Sequence, residues 1–220
     1  MYRAIPRPQS PVLSPHPMRL GIFGGSFDPV HNAHLAIARV CQQQAMLDEV
    51  WFTPTAIQPL KHEGPRASDA HRLEMLRLAI RDEPSWRVCS IEIDRGGFSY
   101  TVDTLRQIHE ELPDADLFFL IGADALQDVA KWKEPREIFH MATPLVVRRA
   151  AQTPPDLHQF KLLCSPGKQP QPIEMTAMDV SSSEIRRRIV AGAPIDELVP
   201  DAVAEFITQH RLYSQTADGR

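Results

Sequence analysis

Apolar positions along this chain switch repeatedly between two spacings. Leu20, Ile22 and Phe23 form a short run that stops at Gly24-Gly25, which predicts a buried strand ended by a turn. From Pro29 onward the spacing widens, and Leu35, Ile37, Ala38 and Ala45 fit one face of a helix. The exchange then repeats. Strands are predicted over 49–53, closed by Pro54, over 87–93, over 116–121, ended by Gly122, and over 144–147 and 173–178. Helices are predicted over 69–82, with Leu73, Leu76, Leu78 and Ile80 turned inward, and over 101–112, 134–141, 182–191 and 201–210. Residues 150–172, with several prolines and a Pro166-Gly167 turn, read as surface loop. Alternation of this kind predicts an α/β fold built on a doubly wound, Rossmann-like parallel sheet. Such sheets bind ligands at the carboxyl ends of their strands, near the switch in strand order. Gly24, the Pro54 loop and Gly122 all fall at such ends.

Length and charge narrow the picture. The chain has 220 residues and a formal charge of −4. That length suits one domain with a sizeable core, expected over 18–220 and closing in helices. Residues 1–17 carry Pro6, Pro8, Pro11, Pro15 and Pro17 and no apolar stretch. They read as a disordered proline-rich leader, not a signal peptide. The negative balance speaks against a nucleic-acid partner. No apolar run approaches a membrane span. Cys41, Cys89 and Cys164 stand far apart with no C-x-x-C, which disfavours a disulfide framework or zinc site and suits a reducing cytoplasm. Monomer and homodimer are equally compatible with the sequence.

The candidate chemistry clusters after the first strand. Glycines let a backbone approach a ligand closely, and a helix N-terminus presents N–H groups suited to phosphate. His31 and His34, three apart, share one face of that helix start. A tight turn and a metal pair are the alternatives, but no third ligand lies nearby. The spacing is neither G-x-G-x-x-G nor a Walker A loop. Ser181-Ser182-Ser183 opens a later helix, either as a plain N-cap or, with Arg186, as a second anion cradle. Arg187 and Arg188 read as solvated. Trp132 offers a flat face for stacking, or for core packing. Asp124 follows Gly122 at a strand end, a position suited to a ribose hydroxyl.

These residues carry a resemblance. Gly24-Gly25-Ser26-Phe27-Asp28-Pro29-Val30-His31, with His34 beyond it, resembles the first motif of nucleotidyltransferases that carry an H-x-G-H signature. It is most similar to the bacterial nicotinate-nucleotide adenylyltransferases. Ser99-Tyr100-Thr101-Val102-Asp103-Thr104-Leu105, Phe119-Leu120-Ile121-Gly122-Ala123-Asp124-Ala125-Leu126 and Val180-Ser181-Ser182-Ser183-Glu184-Ile185-Arg186 resemble later motifs in the family's order. The resemblance implies adenylyl transfer from ATP to nicotinate mononucleotide, with deamido-NAD and pyrophosphate as products. His31, His34, Lys61 and Arg186 would act on the phosphates. Gly24, Gly25, Ser26, Phe27, Gly122, Asp124, Ser182 and Ser183 would hold ATP. Tyr100, Thr101 and Trp132 would receive the pyridine ring and its carboxylate. Mg²⁺ would arrive with ATP, with few or no protein ligands. One position departs from the pattern, since Ala33 stands where the family has glycine. A sister adenylyltransferase for another phosphate acceptor and a catalytically weak nucleotide-binding regulator remain open at this point.

Overall fold

Two-sided apolar strands need cover on both faces, and the chain supplies it. The computed structural model describes residues 16–60, 63–149, 160, 162–176 and 178–214. Its strands are β1 (Arg19–Gly25), β2 (Glu49–Pro54), β3 (Trp86–Val88), β4 (Asp116–Gly122), β5 (Ala142–Arg149) and β6 (Gln171–Met175). They form one sheet in the order β3-β2-β1-β4-β5-β6. Every pairing is parallel. Side-chain alternation sends Leu20, Ile22, Trp51, Leu117 and Phe119 into one core and Phe23, Val50, Phe52, Phe118 and Leu120 into the other. Helices α1 (Asn32–Gln44), α2 (Asp69–Ile80), α6 (Ser182–Val190) and α7 (Asp201–Gln209) pack on the Phe52 side. Helices α3 (Ile91–Arg95), α4 (Thr101–Glu111) and α5 (Pro135–Met141) pack on the Trp51 side. No helix among the described residues is long and apolar enough to cross a membrane.

Several predicted elements shift. The strand expected over 87–93 ends at Val88, and Ile91–Arg95 is a short helix. Gly96, at φ 69°, stops that helix, and its N–H reaches back to Glu92 and Ile93 carbonyls. Alternation favours a strand across this span, but the chain turns helical after Ser90, and Gly96 only closes that helix. Helix α2 turns Arg72, Met75, Leu76 and Ile80 fully inward, whereas Leu73 and Leu78 stay half-buried. A 3₁₀ helix over Ala123–Lys131 follows β4 and was not anticipated. Within the loop predicted over 150–172, residues 150–159 and 161 lie outside the described residues, and β6 begins at Gln171. Most of the expected leader, residues 1–15, lies outside them as well.

Candidate active site

The sheet opens where its order reverses. β1 and β4 pair from Arg19 and Asp116 as far as Ile22 and Phe119. Both strands run on to Gly25 and Gly122 without pairing to each other. The crevice left between their carboxyl ends is the place where doubly wound sheets take ligands.

Two joined chambers fill it. One, of about 230 Å³, is walled by Gly24, Gly25, Gly122, Tyr100, Thr101 and Trp132. The Trp132 ring meets Phe119 edge-on at 5.9 Å. Helix α4 starts at Thr101, which lines the chamber beside Tyr100, and no side chain among the described residues caps it. Lys133 also lines this chamber, 4.9 Å over the Tyr100 ring and 2.9 Å from Asp103. The second chamber, of about 660 Å³, is lined by Ser26, His31, His34, Ser182, Ser183 and Arg186. Thr55, Gln58 and Leu60 belong to both walls.

The two histidines form one unit. Their rings stack at 3.7 Å between centroids. The backbone N–H of His31 donates to Nδ1 of His34 at 3.3 Å. That nitrogen must accept, which assigns the His34 proton to Nε2 and makes Nε2–H a donor. The His34 ring is braced edge-on by Phe27 at 5.0 Å. His31 is 5 % exposed, and burial pushes its imidazole down to about 4, a backbone hydrogen bond opposing the shift. Its Nδ1 is buried, with no hydrogen-bond partner among the described residues.

Helix α6 supplies the opposite wall. Ser181 is its N-cap and accepts from the Glu184 N–H at 3.2 Å. Ser182 Oγ donates to the Pro29 carbonyl at 2.9 Å. Arg186 donates through Nη1 to the Asp28 carbonyl at 2.6 Å and through Nη2 to Ser183 Oγ at 3.2 Å. Arg187 and Arg188 instead pair with Glu184 along the helix.

Most of the residues singled out from the sequence therefore meet at one place. Phe27 differs. Its ring is fully buried against Phe23, Phe52 and His34, so it supports the histidine and leaves only its backbone near the crevice. Lys61 lies outside the described residues, as does the side chain of Asp124, which sits in the 3₁₀ helix.

Glu92 and Arg72 are not among the sequence candidates, and Asp28 stands there only within the first motif. Asp28 is 3 % exposed, and its carboxylate accepts from the N–H groups of Arg66 and Ala67 and from the Tyr213 hydroxyl. Glu92 lines the aromatic chamber. Burial raises its carboxyl above the usual range, against hydrogen bonds from Thr104 and Ser99 and the charge of Arg95. Arg72 is fully buried. For Arg72 a signal existed, since it stands at i, i+3, i+4 and i+8 spacing with Met75, Leu76 and Ile80.

A family model described as cytidylyltransferase-like matches residues 22–188. The chain belongs to this family. The matched span runs from β1 to the third arginine of α6 and takes in both chambers. Among curated relatives, a protein of Citrifermentans bemidjiense named "Probable nicotinate-nucleotide adenylyltransferase" is 39% identical over 212 residues, covering 89% of this chain and 98% of the relative. One of the same name from Herpetosiphon aurantiacus is 40% identical over 198 residues, again covering 89% and 98%. A solved structure titled as the Plasmodium falciparum nicotinic acid mononucleotide adenylyltransferase complexed with NaAD shares the fold of this cytidylyltransferase-like chain. The two superpose with a TM-score of 0.68 at 19% identity, covering 91% of this chain and 99% of the other.

Proposed function

We infer that this chain is a nicotinate-nucleotide adenylyltransferase of NAD biosynthesis, joining ATP and nicotinate mononucleotide into deamido-NAD with release of pyrophosphate. The relatives at about 40% identity support the activity. The single structural observation that carries it is the junction of an aromatic chamber with a polar, imidazole- and guanidinium-lined one at the strand switch. A mononucleotide needs that combination, a flat ring at one end and a phosphate at the other.

In this reading the pyridine ring lies against Trp132, and its carboxylate meets the uncapped start of α4 beside Lys133. A phosphate oxygen of the mononucleotide attacks the α-phosphorus of ATP in line. The bond from that phosphorus to the bridging oxygen breaks, and pyrophosphate leaves. No side chain needs to act as nucleophile. His34 Nε2–H and Arg186 hold the crowded oxygens as their charge shifts toward the leaving group. Among the described residues no cluster of three His, Cys, Asp or Glu gathers. Asp28, which lines the polar chamber with Glu63, already accepts three hydrogen bonds. In this reading Mg²⁺ arrives with ATP, as Mg·ATP, and takes its coordination mainly from phosphate and water. The compartment we assign is reducing. Cys41 and Cys89 are buried thiols, and burial pushes each up to about 12.

The test is pyrophosphate release from ATP with each mononucleotide supplied separately. The acid should be favoured over the amide by roughly ten- to a hundredfold in kcat/KM, because an amide forfeits a charge-assisted bond. Equal values would remove the carboxylate reading, and no release with either would remove the activity.

A further inference from the structure

Arginine is expensive to bury, and this protein buries one wholly, next to its polar chamber, without giving it a buried counter-ion. Arg72 has no exposed side-chain surface, and its carboxylate partner, Asp69 at 2.6 Å, is 53% exposed. The two Nη groups of Arg72 also go to backbone, while Nε is buried with no hydrogen-bond partner among the described residues. Nη1 donates to the Ser26 carbonyl at 2.7 Å, and Nη2 donates to the Thr55 carbonyl at 2.7 Å. Ser26 ends the glycine turn after β1, and Thr55 is the first residue beyond β2. Both line the polar chamber. The Thr55 N–H adds a bond to the Gly25 carbonyl at 2.9 Å. Asp28 repeats the device with the opposite charge, since it draws the Arg66 and Ala67 N–H groups onto the β1 turn at 2.7 and 3.0 Å.

We propose that Arg72 is a positioning residue for phosphoryl chemistry: its fork fixes the spacing between the β1 turn and the β2 exit, the two walls between which the phosphates align. A planar fork can hold two carbonyls at set directions, which a flexible ammonium cannot. Carbonyls tied from behind also keep their dipoles turned away from the polyanion. In-line transfer is sensitive to sub-ångström placement, so loosening one wall should act on turnover more than on binding.

The inference rests on the adenylyltransferase reading, and wild-type pyrophosphate release tests that reading first. Given an active wild type, kcat and both KM values are measured for Arg72→Met and Arg72→Lys, with circular dichroism and melting temperature alongside. Folded Arg72→Met should lose about ten- to a hundredfold in kcat, with each KM within about threefold of wild type. Arg72→Lys, which keeps charge but not the fork, should resemble Arg72→Met. Wild-type kcat in either folded variant overturns the proposal, and so does a loss confined to KM. If Arg72→Met does not fold, Arg72→Lys carries the test. A folding failure of both also overturns it, by showing that the residue serves the fold rather than the reaction.

Discussion

At the scale of single residues, the stacked histidines make the sharpest expectations. His34→Ala removes an oriented Nε2–H and should lower kcat by about 10² to 10³, as for one transition-state donor. Steady-state kinetics on a variant with wild-type circular dichroism checks this. His31 gives a pH signature. Its imidazole falls from the ordinary 6.5 to about 4 in the folded protein, so on acidification the unfolded chain takes up the proton first. Its contribution is complete above 6.5 and is lost as pH falls toward 4. Between pH 7 and pH 5 that amounts to about 2 kcal/mol. Glu92, raised by burial, slopes the other way. Urea unfolding of wild type against His31→Gln at both pH values therefore isolates the histidine, and parallel profiles would discard its role. Ala33 is buried at 7 % exposure in the first turn of α1. Ala33→Gly should change the KM for ATP by less than about tenfold, while lowering stability by about 1 kcal/mol. Recovery of turnover from an inactive wild type would instead favour the regulator reading.

Among the elements, α6 separates working arginines from solvated ones. Arg186 reaches across to the β1 turn, whereas Arg187 is 78% exposed and held by Glu184. Arg186→Ala should reduce kcat/KM for ATP by at least about tenfold. Arg187→Ala should stay within about twofold, in line with the small worth of exposed pairs. Equal losses would put both on the triphosphate. The same helix shows why much of the site was legible in the sequence. Its serine cap, apolar Ile185 and arginines announce a helix start, and the helix begins at Ser182 with Ser181 as its cap. β1 and its glycine turn announce themselves in the same way, because local turn chemistry is written locally. Other features depend on partners distant in the chain. The spacing of Arg72 shows its burial, but its partners Ser26 and Thr55 lie 46 and 17 residues away and no local pattern names them. The Tyr213 partner of Asp28 arrives from 185 residues downstream.

For the molecule as a whole, the sheet begins where the proline-rich segment stops. Asp116 N–H bonds to the Met18 carbonyl, and the Arg19 N–H bonds to Asp48. A chain starting at Met18 retains both bonds. Deleting residues 1–17 should therefore leave turnover unchanged and shift the melting temperature by no more than a few degrees. Calorimetry beside the pyrophosphate assay checks both. A larger drop would assign that segment a packing role.

The contacts that close the polar chamber join the two ends of the chain. Ser182 reaches Pro29 over 153 residues and Arg186 reaches Asp28 over 158. On the ribosome, the histidines and the glycine turn emerge early, yet α6 must still be synthesised and docked before the polar chamber has its second wall. A nascent or prematurely terminated polypeptide therefore carries the recognisable first motif without a closed chamber. Under the proposed function, nucleotide affinity is acquired last and reports that synthesis has run through to α6.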